Sequence, residues 1–336
     1  ITAVPAPGMK NHYYLIHLAD YPDFVLNDIF FSPLYYSLID MNANGSLGRV
    51  VKKNQIIAQG NLLSPTLVKH GNGRDWWIIT GLLGTPLIYT FLVSPEGVQG
   101  PFEYQMPFDF PGKEYQSVNT MSPNGELYVR CDGFNGLNIF DFDRCSGSFS
   151  NQRAVPFAKG VFGFATVFAP DSRHLYLSSW EAVLQVDVST SNISATLDTL
   201  AYYDGNSSPN EPFNTGFWNP NLAADGKIYY ATTNGTLAMH VIHDPDLPGQ
   251  AADLQQHGIT LQKYNAGTMC IFPNYRLGAW QGSPCDTSGG HKPGGFVSTP
   301  YVPAPTRPDD YVIQPPIGKS SSLDTPDRPT MAQIAV

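Results

Sequence analysis

Met121-Ser122-Pro123-Asn124-Gly125-Glu126-Leu127-Tyr128 sets a strand end, a tight turn and a new strand start side by side. The pattern returns as Phe168-Ala169-Pro170-Asp171-Ser172-Arg173-His174-Leu175-Tyr176 and as Leu222-Ala223-Ala224-Asp225-Gly226-Lys227-Ile228-Tyr229, at a period of about fifty residues. A period of that size is the signature of propeller blades, whereas helical solenoids repeat over shorter lengths. Working outward, paired apolar runs follow each turn: Leu127–Arg130 with Leu137–Phe142, Leu175–Ser178 with Val183–Asp187, and Ile228–Ala231 with Leu237–Ile242. Upstream, Tyr13–Leu18 pairs with Tyr35–Asp40, and Trp76–Thr80 with Leu87–Leu92. Short β-branched and aromatic runs bounded by turn residues read as strands.

The reading is therefore all-β: a β-propeller of six or seven blades, five of them legible, with the last one composite. A sixth unit starts at Met269–Asn274 without a clear second strand, and it would have to borrow strands from elsewhere to protect its edges. The expected division is a propeller over 1–285 and an extended Pro/Ser/Gly-rich tail over 286–336, which lacks the apolar periodicity for a core. Composition agrees with strands and tight turns. Aromatics are 12% and charged residues 14% of 336 residues, with 31 Gly and 29 Pro to supply turn geometry.

The net charge of −9 and the absence of a Lys/Arg run argue against a nucleic-acid partner. No apolar stretch is long enough to span a membrane. Four cysteines form an even set suited to disulfides in an oxidising compartment. Cys270 and Cys285 flank a Pro/Gly-rich turn and are the expected pair, while Cys131 and Cys145 flank a predicted hairpin whose offset need not oppose them.

Several residues are candidates for chemistry. Asp40-Met41-Asn42-Ala43-Asn44-Gly45 matches the first half of a calcium loop, with Asp40, Asn42 and Asn44 as oxygen ligands. Val51 stands where the closing acidic ligand belongs, so an Asn-Gly turn competes with calcium and no other cofactor is expected. His240, His243, Asp244 and Asp246 offer metal-ligand chemistry, against a blade-ending turn. Asp141 and Asp143 lie two apart on a strand and could serve as paired carboxylates for glycoside cleavage, against ordinary turn hydrogen bonding. Gly-x-Ser-x-Gly and His-Glu-x-x-His are missing, which points away from common hydrolases.

Pro5–Gly8, Tyr36–Asn42 and Val68–Trp77 are among the stretches by which the chain resembles a family of secreted β-propeller-like proteins of the Bacteroidota that includes cargo of type IX secretion. The resemblance rests on Pro5–Gly8 before Tyr13-Tyr14-Leu15, on Tyr36–Asn42 leading to Leu47–Asn54, and on Val68–Trp77. It continues through Phe140–Gly147, His240–Gly249 and Phe272–Gly278, and it covers about residues 1–286. It implies a secreted or cell-surface location, and a further blade ahead of Ile1 that would complete a seven-bladed ring. It also implies that Thr199, within Asp198-Thr199-Leu200, is an O-glycan acceptor. The resulting expectation is a non-enzymatic propeller acting in surface or filament assembly through protein partners or copies of itself. A carbohydrate-binding or carbohydrate-cleaving propeller and a secretion accessory protein are the alternatives.

Overall fold

The computed structural model describes residues 1–18, 33–107, 118–132, 136–156, 165–208, 213–233, 235–267, 269 and 272–286. They fall within one compact unit, Ile1–Gly295; the second unit, Phe296–Val336, and with it most of the expected tail, lies outside the described residues.

Five four-stranded antiparallel sheets form a five-bladed β-propeller. Blade 1 comprises β1 (Thr2–Pro5), β2 (His12–Leu18), β3 (Leu34–Asp40) and β4 (Arg49–Ala58). Blade 2 comprises β5 (Thr66–Lys69), β6 (Trp76–Gly81), β7 (Leu87–Ser94) and β8 (Gly97–Gln105). Blade 3 runs β9 (Val118–Met121), β10 (Leu127–Asp132), β11 (Gly136–Phe142) and β12 (Phe149–Val155). Blade 4 runs β13 (Ala165–Phe168), β14 (His174–Ser178), β15 (Ala182–Asp187) and β16 (Asp198–Tyr202). Blade 5 runs β17 (Phe217–Leu222), β18 (Ile228–Thr232), β19 (Gly235–Ile242) and β20 (Leu254–Ala266).

The repeated turn joins the first strand of a blade to the second, and its chemistry is visible atom by atom. In blade 3, Asn124 Oδ1 accepts from Glu126 N at 3.1 Å, and Ser122 Oγ accepts from Leu127 N at 2.9 Å. Asp171 Oδ1 takes the same part in blade 4, accepting from Arg173 N and His174 N, and Asp225 Oδ1 accepts from Lys227 N in blade 5. Such side-chain-to-backbone bonds favour a turn over a continuing strand. Gly125 is required twice over: its φ is +76°, and a Cβ there would stand 2.8 Å from Arg144 Cδ and Val68 Cγ2.

Alternation along the strands sends successive side chains to opposite faces of a blade, so an inner blade buries both faces. Four buried clusters result, each joining successive blades. Blades 1 and 2 meet through Tyr14, Ile16, Trp76 and Ile78, and blades 2 and 3 through Trp77, Ile79, Tyr128 and Phe140. Blades 3 and 4 share Val129, Ile139, Leu175 and Leu177, and blades 4 and 5 share Tyr176, Val183, Ile228 and Tyr230. At about 1.5–3 kcal/mol for each large apolar side chain fully buried, these junctions are the main source of stability.

Among the described residues five blades are present and no strand follows β20, so none of the further blades expected from the sequence stands among them. Of the expected sixth blade, Cys270 and Ile271 lie outside the described residues, and residues 272–286 form turns that lie on blades 1 to 3. Their backbone groups are bonded to other blades' side chains and carbonyls, which leaves no ladder for a sheet of their own.

Candidate functional site

The residues singled out for metal or catalysis are committed to local structure. Asp40 Oδ1 accepts from the backbone N and the amide of Asn42, and that backbone bond, first among several causes, holds its carboxyl below the usual range. Asn42 in turn accepts from Asn11 Nδ2 at 2.7 Å and donates to Lys10 O, tying the β1–β2 turn to the end of β3. Asn44 opens the following 3₁₀ turn, Asn44–Ser46. Asp141 holds Arg153 at 2.6 Å and Asn151 at 2.9 Å, whereas Asp143 accepts from Cys145 N and Ser146 N, so the two carboxylates serve different partners. His243 meets Lys227 and Gln255, while Asp246 accepts from Asp171 N on the neighbouring blade. Among the described residues no three His, Cys, Asp or Glu side chains gather to hold a metal ion. Thr199 sits half-buried on β16, the outer strand of blade 4.

One polar cluster was not legible in the sequence, because it joins residues from separate segments beside blade 5. Thr215 Oγ1 lies 2.6 Å from His257 Nε2, and His257 Nδ1 lies 3.4 Å from Asp204 Oδ2. That is the order of a hydroxyl–imidazole–carboxylate triad, but Thr215 is 2% exposed and its hydroxyl donates to Asn206 O at 2.9 Å. A nucleophile needs its oxygen free and open to substrate; this one fixes a loop. His240, also buried, donates from Nε2 to Thr215 O at 2.7 Å and accepts at Nδ1 from His257 N at 3.1 Å.

Both nitrogens of His240 are therefore used by the neutral ring. Burial, chiefly, lowers its pKa to about 4 from 6.5; the Thr215 bond opposes that shift and the nearby His257 adds to it. The folded-state value lies below the unfolded one, so this contribution is complete above about pH 6.5 and is lost as pH falls from there toward 4. The expected loss is about 2–3 kcal/mol between pH 7 and 4.5. Urea melts of the wild type and His240→Gln at both pH values check it; equal pH slopes for the two proteins would remove His240 as the cause.

The cysteine pairing differs from the expectation. Cys285 is bridged to Cys145, with a Cα–Cα distance of 5.5 Å, and Cys270 lies outside the described residues. The reason is the path of residues 272–286. Asn274 donates to Pro123 O, Tyr275 Oη to Ala3 O, and Trp280 N to Gly71 O, which draws the strap over the turns of blades 1, 2 and 3. Buried Arg144 donates to Lys69 O, His70 O and Gly278 O, and burial lowers its pKa to about 10, so it stays charged at neutral pH. The sulfurs close against Gly71, where a Cβ would stand 2.4 Å from Cys285 Sγ.

The remaining feature is the pair of outward faces on the end blades. Trp76, Tyr128, Leu175 and Ile228 stand at or next to the start of the second strand of a blade, each paired with the last residue of the first strand, and all point back toward the preceding blade. They are 0–1% exposed. Tyr13 holds the same register opposite Pro5, yet it is 38% exposed. Leu15, Tyr35 and Ile39 share its face by register and are partly exposed, and Val50 and Ile56 on β4 are 50% and 54% exposed. At the other end, Tyr229, Ala231, Met239 and Val241 share the forward face of blade 5; Ala231 and Val241 are buried, whereas Tyr229 and Met239 are partly exposed. Their counterparts Tyr14, Trp77, Val129 and Tyr176 are buried. Among the described residues, no buried cluster joins blade 5 to blade 1. A signal was present in the sequence: Tyr13-Tyr14 repeats the aromatic doublet Trp76-Trp77, the mark of a strand with two apolar faces.

No protein-family model matches the chain, and no curated protein matches it. Among solved structures, a candidate 6-phosphogluconolactonase from Bacteroides fragilis is similar at 13% identity and a TM-score of 0.46, covering 78% of this chain and 85% of that one. A protein of unknown function from Desulfotomaculum acetoxidans is similar at 13% identity and 0.43, covering 76% and 75%. A gluconolactonase from Xanthomonas campestris is similar at 12% identity and 0.35, covering 61% and 65%. Likenesses this distant carry no argument about what the chain does.

Proposed function

We propose that this β-propeller is a non-enzymatic component of an extracellular or cell-surface assembly, working through protein–protein contacts. The observation that supports it most is the outward face of blade 1, where Tyr13 stands exposed in a register that every following blade buries, with Val50 and Ile56 exposed beside it on β4. A contiguous exposed apolar face marks an interaction site. The Cys145–Cys285 bridge supports the location, since structural disulfides persist in oxidising compartments. Asp141, Asp143, Asp246 and His240, the candidates for acid–base or metal chemistry, are engaged in turns and blade contacts.

Two assays test the reading. Incubated with polysaccharides and aldonolactones, the purified chain should release no sugar and open no lactone; turnover abolished by substituting a single carboxylate would overturn the non-enzymatic reading. A photo-crosslinking amino acid at position 13 should capture polypeptide when the protein is returned to the surface fraction of its native cells. Capture of glycan alone would favour the carbohydrate-binding alternative.

A further inference from the structure

We propose that Asn44, in the turn between β3 and β4, is a site of spontaneous deamidation, at which the side-chain amide leaves as ammonia and an isoaspartyl or aspartyl residue takes its place. The reaction is fastest where a glycine follows the asparagine, because the nucleophile is the backbone nitrogen of that next residue and a side chain there would crowd it. Gly45 N attacks Asn44 Cγ and gives its proton to solvent base. The Cγ–Nδ2 bond breaks, ammonia departs and a succinimide ring remains. Water then adds to one of the two ring carbonyls. Opening at Cγ gives aspartate, and opening at the backbone carbonyl carbon of Asn44 gives isoaspartate, with one methylene more in the main chain. Water is the only co-reactant. The product puts a carboxylate in the turn that leads into β4, whose charged residues, Arg49, Lys52 and Lys53, are all basic.

The sequence holds five Asn-Gly pairs, and the fold separates the three whose asparagines are described. At Asn72, Nδ2 donates to Asp75 Oδ2 at 2.8 Å, and Oδ1 accepts from Arg74 N and Asp75 N, both at 3.0 Å. The nucleophile there is held as well, since Gly73 N donates to His70 O at 2.9 Å. At Asn124, Nδ2 donates to Glu126 Oε2 at 2.9 Å, Oδ1 accepts from Ser122 Oγ and Glu126 N, and Gly125 N donates to Ser122 O at 2.8 Å. Asn44 stands apart: among the described residues, neither its side-chain amide nor Gly45 N has a hydrogen-bond partner. Space divides the pairs the same way. A Cβ at Gly73 would stand 2.7 Å from Ala279 N and one at Gly125 2.8 Å from Arg144 Cδ, whereas nothing lies within 4 Å of one at Gly45. Asn44, Gly45, Ser46 and Leu47 are all exposed to the water that opens the ring. The turn resists little. Its backbone bonds, Leu47 N to Asn44 O and Gly48 N to Ala43 O, are each 3.2 Å. Asn44 and Ser46 hold φ of +54° and +68°, left-handed backbone that costs an L residue free energy, so rotation toward attack releases strain.

Incubation of the full chain in mildly alkaline buffer, followed by tryptic peptide mapping, tests the assignment, because Asn44, Asn72 and Asn124 fall on separate peptides, 11–49, 70–74 and 114–130. The bonds that hold Asn72 and Asn124 and their nucleophiles must break before attack, which together slows those sites by a factor of about ten or more. Asn44 should therefore exchange NH for O, read as a mass gain, at least about tenfold faster than either, and faster still as pH rises. Isoaspartate should accompany aspartate at that position. In the chain reduced and unfolded by urea the three sites should convert at comparable rates, which separates protection by the fold from local sequence. Asn44→Gln should remove the fast conversion from peptide 11–49 and leave the other two peptides as they were. Conversion of Asn72 or Asn124 as fast as Asn44 in the folded chain overturns the proposal. So does an Asn44 that stays intact in the folded chain while it converts in urea. Aspartate without isoaspartate would mean direct hydrolysis instead of ring closure on Gly45 N, and it would overturn the proposal too.

Discussion

Cys285→Ser should cost the folded state up to about 5 kcal/mol, the loop-entropy value for a bridge closing 140 residues of chain. The bridge joins the β11–β12 turn of blade 3 to a strap whose other bonds reach Pro123, Gly71 and Ala3, so its loss frees the strap across three blades at once. Tyr275 then loses its edge contact with Trp76, and Lys69 its acceptor at Tyr275 O. Urea melts with and without a thiol reductant measure the effect on the wild type, and Cys145→Ser should reproduce it. Hydrogen exchange should rise first in blades 1 to 3, while β14 and β15 of blade 4 keep their protection. A midpoint that reductant shifts by less than about 0.5 kcal/mol equivalent would show that the strap holds without its sulfurs.

Trp77→Ala should cost about 3–5 kcal/mol, the range for emptying a large aromatic site in a core. Trp77 is 3% exposed between blades 2 and 3, edge-on to Phe142 at 6.4 Å and to Phe102 at 6.2 Å. Gly147 packs so closely on its ring that a Cβ there would meet Cη2 at 2.6 Å. Its indole N–H donates to Arg144 O at 2.8 Å, which couples this core residue to the turn that carries Cys145. Trp77→Phe keeps much of the packing and drops the hydrogen bond, so it should lose less, on the order of 1–2 kcal/mol. Because Trp77, Arg144 and Cys145 act on one turn, Trp77→Ala and Cys285→Ser should not add: a double-mutant cycle should return a coupling of at least about 0.5 kcal/mol. Additive losses would show that the packing between blades 2 and 3 and the strap are independent.

The second and third strands of every blade were legible in sequence, from Tyr13–Leu18 through Leu237–Ile242. They alternate or run apolar over five or more residues, and they begin at a turn whose Asx chemistry is local. The inner strands β5, β9 and β13 are four residues each, too short to show a period; β9 and β13 showed only as the last residue before the turn, and β5 did not show. The outer strand β4 reads Arg-Val-Val-Lys-Lys-Asn-Gln and is exposed over that length, so no alternation marks it. Those strands exist because a neighbouring strand offers them a ladder, which is a tertiary condition.

The sequence by itself determined the repeat, the all-β class and the turns that space the blades, because strand alternation and side-chain capping act within a few residues. Only the tertiary structure decided which cysteine Cys285 meets, that Thr215, His257 and Asp204 converge on a buried hydroxyl, and that Tyr13 stands exposed while Trp76 in the same register is buried. Each of these depends on which distant surface covers a residue, and a run of sequence shows what a face is made of without showing what lies against it.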